Sequence, residues 1–222
     1  IVAVPSTAEN LIFSILGIIE NYLLVIVAGT VAVATYTAGM RLVQMAMIPL
    51  MGLGTALLTV AGAAYGGHDS EKLEDAFRYT LKIGTLISII MIILLYVFAP
   101  QVSLIFSYSS ASAGLSAKII VMLRILCVFI VGVNFGMMSA MVFQGVGKGF
   151  TSLVLTTIRA LLMEVLFSYI FGVVMGMGEI GIYYGVVCGV CLGAVISYIW
   201  AELYIKKLKK VYPPQDAEPL TE

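Results

Sequence analysis

Two Glu-Asn pairs, Glu9-Asn10 and Glu20-Asn21, lie within a stretch that is otherwise dominated by apolar residues from Val4 to Ala28. A stretch of that length crosses a bilayer as a helix. A carboxylate at membrane depth costs about 2.5–3.5 kcal/mol on insertion scales, and residues so placed mark proton, ion or substrate pathways. Such a carboxyl group can take up and release a proton. With the side-chain oxygen of a neighbouring Asn it also offers ligands suited to a hard cation such as Na⁺. At about 100° per residue, eleven positions return a helix to within about 20°, so Glu9 and Glu20 share a face. Ser6, Asn10, Phe13, Gly17 and Asn21 fall in the same third of the wheel. This polar, small-residue stripe is expected to face protein or water rather than lipid.

Four further ionisable residues sit at membrane depth: Arg41, Arg124, Arg159 and Glu164. By depth, Glu20 can pair with Arg41 or Arg124, and Glu9 with Arg159; the alternative to a cavity role for each is an ion pair that fixes helix register. Helix breakers accompany them. Pro49 removes a backbone hydrogen bond and is expected to bend its helix. Gly52, Gly54 and Gly62 on the same helix permit close approach of a neighbour. Gly132, Gly136, Gly145 and Gly147 are read in the same way. Phe13 and Tyr36 are candidate substrate contacts.

Other chemistry is poorly supported. The two glutamates of the first span are about 16 Å apart along the axis, too far to form an acid dyad with each other. Gly147-Lys148-Gly149 fails as a phosphate loop, because Val142 stands where the first Gly is required and Gly149 where a Ser or Thr is required. His68 is the single histidine and lies among Gly, Asp and Ser, a surface setting. Cys127, Cys188 and Cys191 all lie in apolar runs, so Cys188-x-x-Cys191 reads as packing. No metal site, cofactor, nucleophile constellation or selectivity filter is expected, and an enzyme is the least favoured class.

The elements that must position these residues are helices. Of 222 residues, 61% are hydrophobic and 11% charged, with mean hydropathy +1.09, far outside the globular range. Formal net charge is zero and the charges gather at segment ends, which gives no footing for nucleic acid. Six apolar runs, at 4–29, 37–64, 79–99, 117–143, 150–176 and 180–205, predict an all-α polytopic protein with six transmembrane helices in one bundle over 1–210. Short connections around 28–30, 66–70, 99–112, 145–149 and 176–181 separate them. Ser70, Glu71 and Glu74 read as a capped amphipathic lead-in along the membrane surface before the third span. Lys72, Arg78, Lys82, Lys148 and Lys206 to Lys210 lie on one side, which predicts cytoplasmic termini in a cell-membrane protein. The polar, Pro-containing tail over 211–222 is expected to be disordered.

Several blocks, taken in order, resemble the multidrug and toxic compound extrusion (MATE) family. They are Val4-Pro-Ser-Thr-Ala-Glu-Asn10, Gly29-Thr30, Ala34-Thr-Tyr-Thr-Ala-Gly-Met-Arg-Leu42, Ile48-Pro-Leu-Met-Gly-Leu-Gly-Thr-Ala56 and Ala61-Gly-Ala-Ala-Tyr-Gly-Gly67. They are similar to helices seven and eight, the start of the family's second six-helix half. Ala99-Pro-Gln-Val-Ser-Leu-Ile-Phe106 and Phe143-Gln-Gly-Val-Gly-Lys-Gly149 look like a later loop and the end of helix ten. The resemblance covers roughly residues 4–205. It implies one lobe of a twelve-helix antiporter that exports organic cations in exchange for H⁺ or Na⁺. Membrane lipids, small organic cations and a second lobe are the implied partners. That lobe is either an N-terminal six-helix half or a second copy of this chain. The start at Ile1 without Met is expected of a C-terminal portion. Two departures stand out. Where several members carry a carboxylate eight residues after the helix-seven proline, this chain has Phe13. The helix-ten acid of some members also has no counterpart, since the fourth span carries Arg124 and no Asp or Glu. A lipid-linked-cargo flippase of the same superfamily and a non-transporting scaffold are the rival expectations.

Overall fold

The computed structural model describes the backbone of residues 3–104 and 113–212, and side chains within 7–103 and 116–212. The loop Ser107–Ser112, the tail from residue 213 and the side chain of Ser6 lie outside the described residues. Among the described residues the fold is all-α. Its elements are α1 (Ala3–Ala28), α2 (Thr30–Gly66), α3 (Ser70–Leu104), α4 (Ala113–Gly145), α5 (Gly149–Thr157), a π-helical turn (Ile158–Glu164), α6 (Val165–Tyr169), a second π-helical turn (Ile170–Val174) and α7 (Gly178–Val211). Together these form six apolar spans long enough to cross a membrane. The fourth is the most buried and acts as the axis around which the others pack.

The helices extend beyond the apolar runs. The lead-in at Ser70 is continuous with the third span in one element, α3, rather than a separate surface helix. Its first turn is capped by Asp69, whose Oδ1 accepts the Lys72 N–H at 2.9 Å. Ser70 instead donates its hydroxyl to the Tyr212 carbonyl at 2.8 Å, so the cap is Asp69 rather than Ser70. Pro100 does not break α3, which runs on to Leu104, and α2 likewise passes through Pro49 as one element. A proline inside a helix removes one backbone hydrogen bond, and Leu50 and Ala99 beside the two prolines, both fully buried, hold those turns in the bundle.

Two turns fix the site. α1 and α2 are joined by Gly29 alone, at φ 78°, a backbone region that costs other residues strain. The turn that closes α4 passes through Gly147 at φ 76°. There the Lys148 N–H reaches the Phe143 carbonyl at 2.8 Å and the Gly147 N–H reaches that of Gln144 at 3.1 Å, a Schellman closure. His68 is exposed at φ 57°, with its ring against Tyr212.

The core falls into two clusters along the bundle axis. One gathers Leu24, Leu50, Met122, Leu126 and Val186 around the α1–α2 turn end. The other gathers Leu57, Phe77, Phe143 and Ile205 around the opposite end. At that opposite end, α3 and α7 are tied by Arg78 to Glu202 (3.5 Å) and Lys209 to Glu74, with Arg78–Glu74 (2.7 Å) inside α3 and Lys206–Glu202 (3.8 Å) inside α7 completing the cluster.

Candidate functional site: a polar seam beside the first helix

α1 turns Glu9 and Glu20 inward. Glu9 is half-buried and Glu20 is 3% exposed, whereas Leu11, Ile18 and Tyr22 on the other face are more than half exposed. The shared face expected from the spacing is present. What it meets comes mostly from the fifth span.

Near the α4–α5 turn, Ser152 donates its hydroxyl to Glu9 Oε1 at 2.7 Å, and Gln144 donates its amide to Glu9 Oε2 at 3.0 Å. Gln144 also reaches Ser152 Oγ at 3.2 Å, closing a three-residue cluster. Both donors are buried. The Schellman closure places Gln144 on the last turn of α4, and the short turn brings Ser152 onto the first turn of α5. Sequence reasoning missed these two. Gln144 stood inside the Phe143–Gly149 block and Ser152 three residues beyond it, but only a tertiary contact shows that they serve Glu9.

Asn10 does not join them. It is exposed, and its carbonyl accepts the Ser14 hydroxyl at 2.9 Å. Beside the Glu9 carboxyl stand two donors, Gln144 and Ser152, where the sequence suggested the Asn10 oxygen. Asn21 is half-buried, and its Oδ1 has no partner among the described residues.

Deeper in the bundle, Arg159 and Glu164 occupy the two ends of the first π turn and are 8% and 4% exposed. Five residues of α-helix would set them about 140° apart. The i→i+5 turn closes that angle and brings both toward α1. Arg159 lies over the Phe13 ring at 5.8 Å, within cation–π range. Its stem runs past Gly136 of α4 and Gly193 of α7, where a Cβ would collide with it. Gly136 therefore makes room for a side chain. Arg159 sits within electrostatic reach of both Glu9 and Glu164, with no carboxylate at ion-pair distance among the described residues.

Glu20 pairs with neither arginine proposed for it. Arg41 is exposed on α2, and Arg124 is exposed on α4 over the Tyr96 ring at 5.0 Å. Both lie on faces of their helices that this lobe leaves uncovered. Instead the Tyr36 hydroxyl donates to Glu20 Oε2, and Glu164 lies against the Glu20 carboxyl. Tyr36 is buried and stacks on Tyr183 with ring centroids 6.1 Å apart. A polar seam thus runs from Glu9, Gln144 and Ser152 through Arg159 to Glu164, Glu20 and Tyr36.

The fifth span is held to α7 by glycines. Gly181, Gly185, Gly189 and Gly193 face Phe171, Ser168, Glu164 and Arg159 in turn, three of them on backbone atoms. On α2, Gly54 receives Met137 and Met141, and Gly62 meets the Gly145 carbonyl. Gly52 has open space around it, so the close-approach role expected there is not present within this chain. No cluster of three metal-ligating side chains occurs among the described residues.

The sequence profile of the MatE family matches residues 5–170. The chain belongs to the MATE family. Members are membrane transporters, and the six apolar helices make this chain multi-pass. Solved MATE structures share the fold closely. A MATE protein in complex with MaL6 is 37% identical, with a TM-score of 0.91 over 93% of this chain and 46% of its own. An outward-facing multidrug resistance MATE transporter of the MOP superfamily is 38% identical, with a TM-score of 0.90 and the same coverage. A MOP superfamily transporter from Pyrococcus furiosus, whose binding pocket is described as reversed in polarity, is 37% identical at a TM-score of 0.90. The chain spans about half the length of these structures. No curated protein matches it.

Proposed function

We propose that this six-helix MATE lobe forms one half of an exporter that moves amphipathic, cationic organic compounds across the cell membrane in exchange for H⁺ or Na⁺. The observation that carries the reading is the Glu9 carboxyl: half-buried near one end of the spans, held by two neutral donors and matched by no cation at ion-pair distance among the described residues. Neutral donors orient a carboxylate without cancelling its charge, so Glu9 stays free to exchange its counter-cation. The second lobe is the other six-helix half of the same protein or a second copy of this chain, consistent with the half-length coverage of the relatives. The lysines gathered at one end of the spans support a lobe with both ends on the cytoplasmic side.

The flippase alternative draws on a cavity rich in Arg124 and Arg159. Arg124 is exposed, and Gly136, which flanks Arg159, lies twelve residues further along α4, about 18 Å away. The two do not build one anionic-headgroup site, which favours the antiport reading. The test is efflux of a lipophilic cationic dye from proteoliposomes under an imposed H⁺ or Na⁺ gradient. Glu9→Gln should reach the membrane and lose at least tenfold of the gradient-driven rate. Wild-type rates for Glu9→Gln, Glu20→Gln and the double variant would sink the reading.

A further inference from the structure

α4 is the most enclosed span of the lobe, yet one stripe of it is left open. Val121 is 45% exposed and Val128 53%, and Arg124 between them is exposed as well. At about 100° per residue the three fall within about 60° of the helical wheel, so the opening is a groove between the neighbours of α4. α3 forms one wall. Its Tyr96 ring lies against Arg124, with the guanidinium carbon 5.0 Å from the ring centroid, and its Ile92 carbonyl accepts the Cys127 thiol at 3.9 Å. α7 forms the other wall, where Glu179 pairs with Lys118 at 2.8 Å. The ion pairs that join α3 to α7, Arg78–Glu202 and Lys209–Glu74, lie at the far end of the bundle.

The charge in this groove is unmatched. Lys118 and Glu179 cancel, and no carboxylate lies at ion-pair distance from Arg124 among the described residues. The Tyr96 ring takes the face of the guanidinium, while its five N–H donors lie in the plane and call for oxygen acceptors. Depth limits what can supply them. α4 has 33 residues, about 50 Å of helix. Centred on a hydrocarbon layer about 30 Å thick, it puts the Arg124 backbone about 7 Å inside the layer. A guanidinium so placed snorkels toward the membrane surface. The acidic oxygens met there are those of lipid phosphates, which the planar fork of an arginine grips through two parallel bonds. Deeper along the groove, Val128 and, on the Tyr96 face of α3, Ile93 (56% exposed) give acyl chains an apolar bed.

We propose that this groove holds one anionic phospholipid, its phosphate on Arg124 and its chains along Val128 and Ile93. A zwitterionic lipid brings an ammonium that sets a second positive charge beside Arg124, so the site prefers a headgroup without one. The lipid sits on the flank of the lobe between α3 and α7, apart from the seam where α1 meets the fifth span, and is a bound component rather than cargo.

Native mass spectrometry of the purified full-length protein, with phosphatidylglycerol and phosphatidylcholine of the same chains added at equal concentration, tests this. The wild type should retain one phosphatidylglycerol at least about fivefold more than phosphatidylcholine. Arg124→Gln should lose that preference, while Arg41→Gln, which removes an exposed arginine from another helix, should keep it. Soluble glycerol phosphate should leave the lipid in place, because the chains supply part of the hold. Displacement by it would mean an anion site without a lipid and overturns the proposal. Equal retention of the two lipids by the wild type, an unchanged preference in Arg124→Gln, or its loss in Arg41→Gln does the same. Should Arg124→Gln not fold, a photoactivatable phosphatidylglycerol on the wild type decides: label on the peptides that carry Tyr96 and Arg124 supports the site, and label only elsewhere ends it.

Discussion

Gly189 of α7 lies directly on the backbone of Glu164: a Cβ added there would collide with the Glu164 nitrogen and Cα. Backbone cannot swing aside as a side-chain tip can, so the helix pair itself would have to part. Gly189→Ala is expected to destabilise the lobe by about 1–3 kcal/mol through overpacking and to weaken the placement of Glu164. Gly52→Ala is the control. Its site is open, and removing a helix-interior glycine there should add about 0.5–1 kcal/mol. Thermal unfolding of both variants in detergent gives the comparison, and equal shifts of the same sign would contradict it.

The Glu9 cluster should behave as a unit. Ser152→Ala and Gln144→Ala each remove one donor to the same carboxyl. In a double-mutant cycle with Glu9→Gln, the coupling energy is expected at about 0.5 kcal/mol or more, because contacting polar groups do not add independently. Additive effects on unfolding free energy would show that the cluster contributes nothing jointly.

Tyr36→Phe leaves Glu20 Oε2, a buried acceptor, without its donor. The expected loss of stability is about 1–3 kcal/mol, with the helix content of the folded protein unchanged. Circular dichroism with a denaturant or thermal midpoint measures both. A midpoint at the wild-type value would mean that Glu20 finds another donor.

Gly147 closes α4 at φ 76°. Gly147→Ala should cost about 1–2 kcal/mol, the penalty of a left-handed backbone for a residue with a Cβ, and should disturb Gln144 and so Glu9. The prediction is a lowered midpoint accompanied by reduced dye efflux. Lowered stability with wild-type efflux would uncouple the turn from the site.

Much of the fold was legible because a bilayer leaves few choices: long apolar runs must be helices, and their ends carry the charges. The inward face of α1 was legible too, since eleven residues make nearly whole turns. The partners on that face were not. Depth alone suggested arginines for Glu20, but depth does not say which way a helix is rotated, and Arg41 and Arg124 turn outward. Gln144 and Ser152 carry no signal of their own, being ordinary residues at a helix turn. The π turn is the clearest omission. Arg159 and Glu164 look opposed on a regular helical wheel, and no residue type announces an extra residue per turn. The four-residue spacing of Gly181, Gly185, Gly189 and Gly193 was visible in the sequence, and read early it would have tied α7 to the fifth span.

Gly29 is the whole connection between α1 and α2. A one-residue joint between two long antiparallel helices leaves no slack for one to slide past the other. α1 and α2 are therefore held to one another at that end, while the fifth span and α7 are seated together through glycines. The line along which α1 meets the fifth span carries Glu9, Arg159, Glu164 and Glu20. Opening that line would expose them to water together.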